Sequence, residues 1–348
     1  MRKYEFELNR SARTIVERAL ELQAGETLVI TADTTSDATV AEALAQACLS
    51  VGAHPLVMWM RTPRGVAMAA DRDLPGDAIV GALREADAWI ELNVQYLNYS
   101  QIFRSALDLN PKLRFYCLPG VTVDVMVRCF SELDLPLLAE FLEQVTAYTR
   151  TAESVRMTTA AGQDVRFAIA PEHPFITASG YARTPGSHMF PGQISWTPAL
   201  GSVNGTIVFD GSIVPAFGLV REPVRLEVRE DRVVGMTGGA DAAALQRWLE
   251  GWNDPGMFRL AHTSYGFHPR AELTGQLGED ERIWGCTQWG LGAIGKVLLP
   301  PDGIPAASHI DGICLNTSTW LDDRPLTRDG IVVDERLTEL AGRLLAAG

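Results

Sequence analysis

The feature that most limits what this chain can fold into is a change of hydrophobic rhythm partway along it. Before the change, short apolar runs alternate with amphipathic stretches. An amphipathic helix is predicted over Ser11 to Leu22, then a buried strand over Thr27 to Thr31 and an Ala-rich helix over Asp37 to Val51. Strands over His54 to Met60, Ala88 to Leu92 and Leu113 to Cys117 alternate with helices over Ala78 to Ala86 and Gln101 to Leu107. Strands separated by helices predict an open, doubly wound parallel sheet. The first strand-to-helix turn reads Ala32-Asp33-Thr34-Thr35-Ser36. It lacks the glycine fingerprint that cradles a dinucleotide pyrophosphate, so that use of the fold loses its main support.

After a helix over Leu135 to Thr149 the period becomes two. Val155 to Thr159 and Asp164 to Ile169 alternate around Ala160-Ala161-Gly162-Gln163, which predicts a hairpin. More strands are expected at Gly205 to Phe209, Val224 to Arg229, Arg232 to Met236, Arg259 to Tyr265 and Ser308 to Leu315. Helices are expected over Ala240 to Glu250 and Val333 to Ala347. The fold class is therefore α/β plus α+β. A Rossmann-like parallel-sheet domain over residues 1–150 is followed by a β-rich α+β domain over 151–348.

Composition removes several classes of function. The net charge is -13, so the surface repels phosphate backbones and anionic lipid. Nucleic acid and membrane partners are not expected. The five cysteines contain no CxxC and are odd in number, which fits neither a disulfide framework nor a cysteine zinc site. The start, Met1-Arg2-Lys3-Tyr4-Glu5-Phe6-Glu7, has no apolar segment behind its basic residues. The expectation is a cytoplasmic protein.

The chemistry is expected in the second half. On a strand, His309 and Asp311 in Ser308-His309-Ile310-Asp311-Gly312-Ile313-Cys314-Leu315 project to one face. His262, in Leu260-Ala261-His262-Thr263-Ser264-Tyr265-Gly266, lies on a second strand with a glycine at its end. If that strand faces the first, two imidazoles and a carboxylate occupy one side of a metal ion and leave positions open. This is the ligand set of non-haem Fe(II) oxygenases. Three protein ligands plus water also suit a catalytic zinc. Buried histidines with satisfied hydrogen bonds would give the same spacing, so the spacing alone leaves all three open.

Other segments carry a resemblance. Pro191-Gly192-Gln193 through Pro198, Ser202 through Asp210, the hairpin Thr158 to Phe167, and Ser308-His309-Ile310-Asp311 resemble the thermophilic aminopeptidase T family. That family implies a two-metal site of glutamates, histidines, a tyrosine and an aspartate. This chain has Gln193 and His262 where the two glutamates are expected and Gln288 where the first histidine is expected. Amides cannot bridge two cations as carboxylates do. A branch of the same fold, the 2,5-dihydroxypyridine 5,6-dioxygenases, is more similar. The shared segments are His262 followed by Pro269-Arg270-Ala271, His309-Ile310-Asp311, Leu321-Asp322-Asp323, Gly180-Tyr181-Ala182 and Asn253-Asp254-Pro255.

This resemblance implies a ring-cleaving dioxygenase with Fe(2+) on His262, His309 and Asp311, with Zn(2+) or Mn(2+) as alternatives. It implies a small hydroxylated aromatic or N-heteroaromatic substrate with O2, and by analogy a homo-oligomer. Candidates for an acid or base beside the metal are His188, His268 and Tyr265. Gln288, Ser179 and Gln193 are candidates for contacts to substrate. Two other readings stay open: a single-metal hydrolase and a metal-free binding protein.

Overall fold

The computed structural model describes residues 4–347. Its chain forms two compact units. The first runs up to Leu135 and takes back Gly180–Pro191, and the second holds Pro136–Ser179 and everything from Gly192 onward.

The first unit begins with α1 (Glu5–Arg13), which continues as π-helical turns over Thr14–Ala19. There follow β1 (Thr27–Asp33), α2 (Ala38–Ser50), β2 (His54–Met60), α3 (Gly76–Arg84), β3 (Ala88–Glu91), α4 (Gln101–Leu109), β4 (Arg114–Cys117) and α5 (Val123–Phe130). Polar side chains start three of these helices. Asp37 accepts from Thr39 N, Ser100 from Phe103 N and Thr122 from Val125 N. Each covers a backbone donor that a helix leaves unpaired at its start. The strands are parallel, as the alternation predicted.

The second unit opens with α6 (Leu135–Arg150, in it from Pro136 on), then β5 (Ser154–Thr158), β6 (Asp164–Ala168) and β7 (Phe175–Ala178). The chain then returns to the first unit for β8 (Gly186–Met189), which pairs parallel to β4. The completed sheet has the order β2-β1-β3-β4-β8. The boundary expected near residue 150 thus differs from the observed division. The change of period marks where the hairpins begin, whereas α6 already belongs to the second unit. Four residues, Gly186-Ser187-His188-Met189, are too short to show a period of their own.

The rest of the second unit is β9 (Gln193–Trp196), β10 (Asn204–Phe209), β11 (Ser212–Val214), β12 (Gly218–Leu219), β13 (Val224–Arg229), β14 (Arg232–Thr237) and α7 (Gly239–Gly251). Then come β15 (Leu260–Gly266), α8 (Leu277–Asp280), β16 (Thr287–Ile294), β17 (Ile304–Cys314), β18 (Ser318–Leu321), β19 (Arg324–Arg328), β20 (Ile331–Val332) and α9 (Thr338–Ala347). One sheet has the order β14-β13-β10-β6-β5-β18-β19-β20 and the other β12-β11-β17-β16-β15-β9-β7. The sheets meet through aromatic side chains. Phe167 on β6 packs edge-on against Trp289 on β16, 5.3 Å between ring centres, and also contacts Trp196 on β9. Phe209 on β10 presses on Gly312, where a side chain has no space. That contact uses one face of β17. His309 and Asp311, at the other parity, stand on the opposite face. Among the described residues, no helix is long and apolar enough to cross a membrane.

Candidate metal centre

Three adjacent antiparallel strands build the centre. His262 on β15 pairs with Gly290 on β16, and Gly290 pairs with Asp311 on β17. Directly opposed residues in such a ladder project to the same side. His262 and Asp311 therefore flank a glycine across three strands. His309, two residues before Asp311, joins them from the next position on the same face.

The glycine in the middle is what lets the rings close over it. A Cβ at Gly290 would lie 2.7 Å from His262 Nε2 and 2.8 Å from His309 Cε1. With none there, His262 Nε2 sits 3.2 Å from His309 Nε2 and 3.4 Å from Asp311 Oδ1. His309 Nε2 lies 3.1 Å from the same oxygen, and the two rings stack nearly parallel. His262 and Asp311 are buried, and His309 is partly exposed.

Hydrogen bonding decides what these atoms offer. His309 Nδ1 lies 2.9 Å from the Ala293 carbonyl, which only accepts. A hydrogen is therefore on Nδ1, and Nε2 is the atom turned to the neighbours, a lone-pair donor whenever the ring is neutral. Anchoring the far nitrogen on a carbonyl is the usual support for a metal-binding imidazole. His262 Nδ1 is buried without a hydrogen-bond partner. Burial, against the pull of Asp311, lowers the His262 pKa to about 4, and His309 adds to that effect. His262 is thus neutral at ordinary pH. Burial works against charge on His309 too, but Asp311 and the Ala293 carbonyl outweigh it and raise its pKa. Burial likewise opposes the Asp311 carboxylate, yet the imidazoles and Gln288 keep its pKa low. A carboxylate oxygen and two ring nitrogens, all within 4.8 Å of one another, form a pocket of electron pairs that favours positive charge. Two imidazoles and one carboxylate suit a single divalent transition-metal ion.

A buried polar network lies beside this cluster on the same sheet. Gln288 on β16 accepts from Ser264 Oγ at 2.5 Å and from Gln193 Nε2 at 2.7 Å. Its own Nε2 donates to Glu281 Oε1 at 3.0 Å. Gln193 also reaches Glu281 Oε2 at 3.2 Å, and Arg282 donates to the same carboxylate. Burial raises the Glu281 pKa to about 7, with Arg282 acting in the opposite direction.

The structure brings His262, His309 and Asp311 together and distributes the remaining candidates elsewhere. Tyr265 is on the opposite face of β15, its ring 4.7 Å from Trp196 in the layer between the sheets. Burial there raises its hydroxyl pKa strongly, which fits core packing and not proton transfer at the cluster. His268 is fully buried beyond the end of β15, and its Nδ1 accepts from Arg270 N. His188 is on β8 in the first unit, with Nε2 donating to the Thr184 carbonyl at 2.7 Å. Ser179 follows β7 and is half-buried, its N–H bonded to the Thr177 carbonyl. Gln193 and Gln288 are buried in the network, with amide groups directed at protein partners. Their geometry is that of internal support, whereas contact with substrate was the expectation.

Two features had no counterpart in the sequence reading. Gly290 sits in a strand that was not expected, because Gly290 and Gly292 interrupt its apolar pattern. Glu281 and Arg282 end a run of four charges, Glu279-Asp280-Glu281-Arg282, which ordinarily marks a solvated turn. All four are buried here.

Comparison with known proteins gives the family and the fold. A family model described as 2,5-dihydroxypyridine 5,6-dioxygenase (NicX) matches residues 12–334. The chain is 29% identical over 195 residues to the 2,5-dihydroxypyridine 5,6-dioxygenase of Pseudomonas putida KT2440, covering 53% of this chain and 55% of that protein. The matched stretch thus spans about half the length of that curated relative. A solved structure of 2,5-dihydroxypyridine dioxygenase from the same strain superposes with a TM-score of 0.78 at 21% identity, over 95% of this chain and 98% of that one. Wild-type AmpT from Thermus thermophilus superposes with a TM-score of 0.68 at 16% identity, over 95% and 100% of the two chains. The fold is aminopeptidase T-like.

Proposed function

The chain belongs to the 2,5-dihydroxypyridine 5,6-dioxygenase family, and from that premise we propose that it is a ring-cleaving dioxygenase. Its substrate is a small hydroxylated aromatic or N-heteroaromatic ring of the hydroxypyridine kind, with O2 as second substrate. The observation that carries the reading is the convergence of His262, His309 and Asp311 over Gly290. These three residues would hold a single Fe(II). Bound there, the ion supplies positive charge for an ionised ring hydroxyl and a route for electrons from the ring to O2.

The chain's own residues supply the rest. Burial lowers the His262 pKa to about 4, so at neutral pH its ring is uncharged and has a lone pair for a metal. The Ala293 carbonyl fixes the His309 ring, so that Nε2 and not Nδ1 faces the ion. Asp311 contributes one negative charge, which leaves the loaded centre net positive and attractive to a phenolate-type oxygen. Within the second unit, His268 is the candidate for the proton-transferring group and Ser179 for a substrate contact.

The amide network disfavours the peptidase chemistry of the wider fold. Gln193 and Gln288 are hydrogen-bonded to each other, and neither can serve as a bridging carboxylate between two ions.

The test is anaerobic reconstitution with Fe(II), followed by oxygen uptake against a panel of dihydroxypyridines and catechols. Stoichiometric uptake with one or more members is the expected result. No uptake from any member by protein shown to hold Fe(II) overturns the dioxygenase reading. Stoichiometric zinc in untreated protein together with amide turnover would replace it with a hydrolase.

A further inference from the structure

The three donors leave the buried network next to them without a role, and its geometry is restrictive. Gln288 has an amide that cannot be reversed. Its Oε1 faces two groups able to give hydrogen, Ser264 Oγ and Gln193 Nε2. Its Nε2 donates to Glu281 at 3.0 Å, and the register of β16 on β17 sets Gln288 diagonally beside Asp311 on the same face, where it favours the ionised carboxylate. Reversal would set an oxygen against the Glu281 carboxylate and a nitrogen against the Gln193 nitrogen. Glu281 is in turn held by Gln193 and Arg282.

We propose that Glu281 is a positioning residue for the metal centre. It holds the Gln288 amide in one orientation beside Asp311, and so would fix how Asp311 presents its oxygens to a bound ion. The inference rests on the metal-binding role proposed for His262, His309 and Asp311. Its neighbours in the same turn do something different. Glu279 accepts from Glu272 N, and Asp280 accepts from Thr274 N and Gly275 N, so both brace a loop. Glu281 is bonded to side chains that lead to the cluster.

The experiment measures Co(II) affinity and the Co(II) ligand-field spectrum, neither of which needs turnover. The proteins are wild type, Glu281→Gln, Gln288→Leu, the double variant and Glu279→Gln, each checked by circular dichroism and thermal melting. Glu281→Gln keeps the shape but adds a second donor opposite the Gln288 nitrogen, so the amide loses its preference. Glu281→Gln and Gln288→Leu are each expected to weaken Co(II) roughly 10- to 100-fold, the usual cost of losing support behind a metal ligand. The ligand-field bands of Glu281→Gln should shift. Because Glu281 acts through Gln288, the double variant should bind no more weakly than Gln288→Leu alone. Glu279→Gln should bind as wild type.

Unchanged affinity in folded Glu281→Gln overturns the proposal, as do additive losses in the double variant or an equal loss in Glu279→Gln. If Glu281→Gln does not fold, Gln288→Leu decides, and unchanged affinity and spectrum in that variant overturn the proposal. A wild type that takes up no Co(II) overturns the metal reading itself, and the inference with it, in a different arm of the experiment.

Discussion

Both units bury carboxylates in their sheets, and they use them in opposite ways. In the first unit, Asp33 ends β1 and is fully buried. Its oxygens accept from Thr35 N at 2.9 Å, Thr62 Oγ1 at 3.1 Å and Val94 N at 3.0 Å. Glu91, at the end of β3, accepts from Leu97 N. Every one of these partners donates, so the two acids tie the loops beyond the strand ends to the sheet. In the second unit Asp311 faces two imidazole nitrogens, each a lone-pair donor when its ring is neutral. Burial of an acid is common to both places. The sign of the surrounding groups separates a loop clasp from a cation site, and that sign is set by strand register and by which ring nitrogen is anchored.

The largest expected effect tests the cation side of this contrast. His309→Ala removes one of three donors and with it the anchored ring. Its cost to metal affinity should exceed the roughly 10- to 100-fold typical of residues that only support a ligand. Purified variant protein analysed for metal should retain none, while its far-ultraviolet circular dichroism stays that of wild type. Retention of a full equivalent of metal would move the centre away from these residues and erase the difference between the units.

The next effect belongs to the clasp. Burial raises the Glu91 pKa to about 7, with the Leu97 N–H pulling the other way. A carboxyl whose folded-state pKa is raised stabilises the fold fully below its ordinary value near 4.5. That contribution is lost as pH rises through about 7. The loss is on the order of 3 kcal/mol at most. Urea unfolding from pH 5 to pH 8 should therefore show falling stability, and Glu91→Gln should flatten the fall without altering metal affinity. An equal pH dependence in the variant would mean that Glu91 carries no such burden. A change in metal affinity would mean that the clasp and the cation site are not separate devices.

Sequence made one side of this contrast far more readable than the other. Period-two spacing is enough to put His309 and Asp311 on one face, because a strand allows no other arrangement. The alternation of strands and helices was enough for the parallel sheet. His262 was harder, since nothing in its own segment says which strand it will lie beside. Its partner assignment came from the family resemblance and not from its neighbours. The strand between them was invisible for a physical reason. Gly290 and Gly292 break the apolar pattern that betrays a strand, yet Gly290 is what the converging rings require. Glu281 was hidden by composition. Four successive charges look like solvent-facing chain until the sheet is assembled and Gln193, Gln288 and Arg282 are seen to enclose one of them. Asp33 and Glu91 were equally unreadable as clasps, because their partners are mainly backbone N–H groups, which carry no sequence signal.

The smallest effect is the sharpest test of why the two sites differ. Gly290 has no counterpart in the clasp, where donors approach the carboxylates from loops and no side chain must be missing. Gly290→Ala keeps all three metal donors and changes no charge. Its methyl group would meet His262 Nε2 at 2.7 Å and His309 Cε1 at 2.8 Å, closer than such atoms pack, so one ring has to move. His309 is the more exposed of the two and gives way more easily. Its Nδ1 bond to Ala293 then weakens, and its Nε2 leaves the common focus. Metal affinity should fall about tenfold, equivalent to about 1.4 kcal/mol, and titration calorimetry with Co(II) would measure it. His309→Ala placed on top of Gly290→Ala should add less than it does alone, because the same ring has already been displaced. Should Gly290→Ala bind Co(II) as tightly as wild type, the rings do not need the bare backbone beneath them, and register alone would account for the cation site.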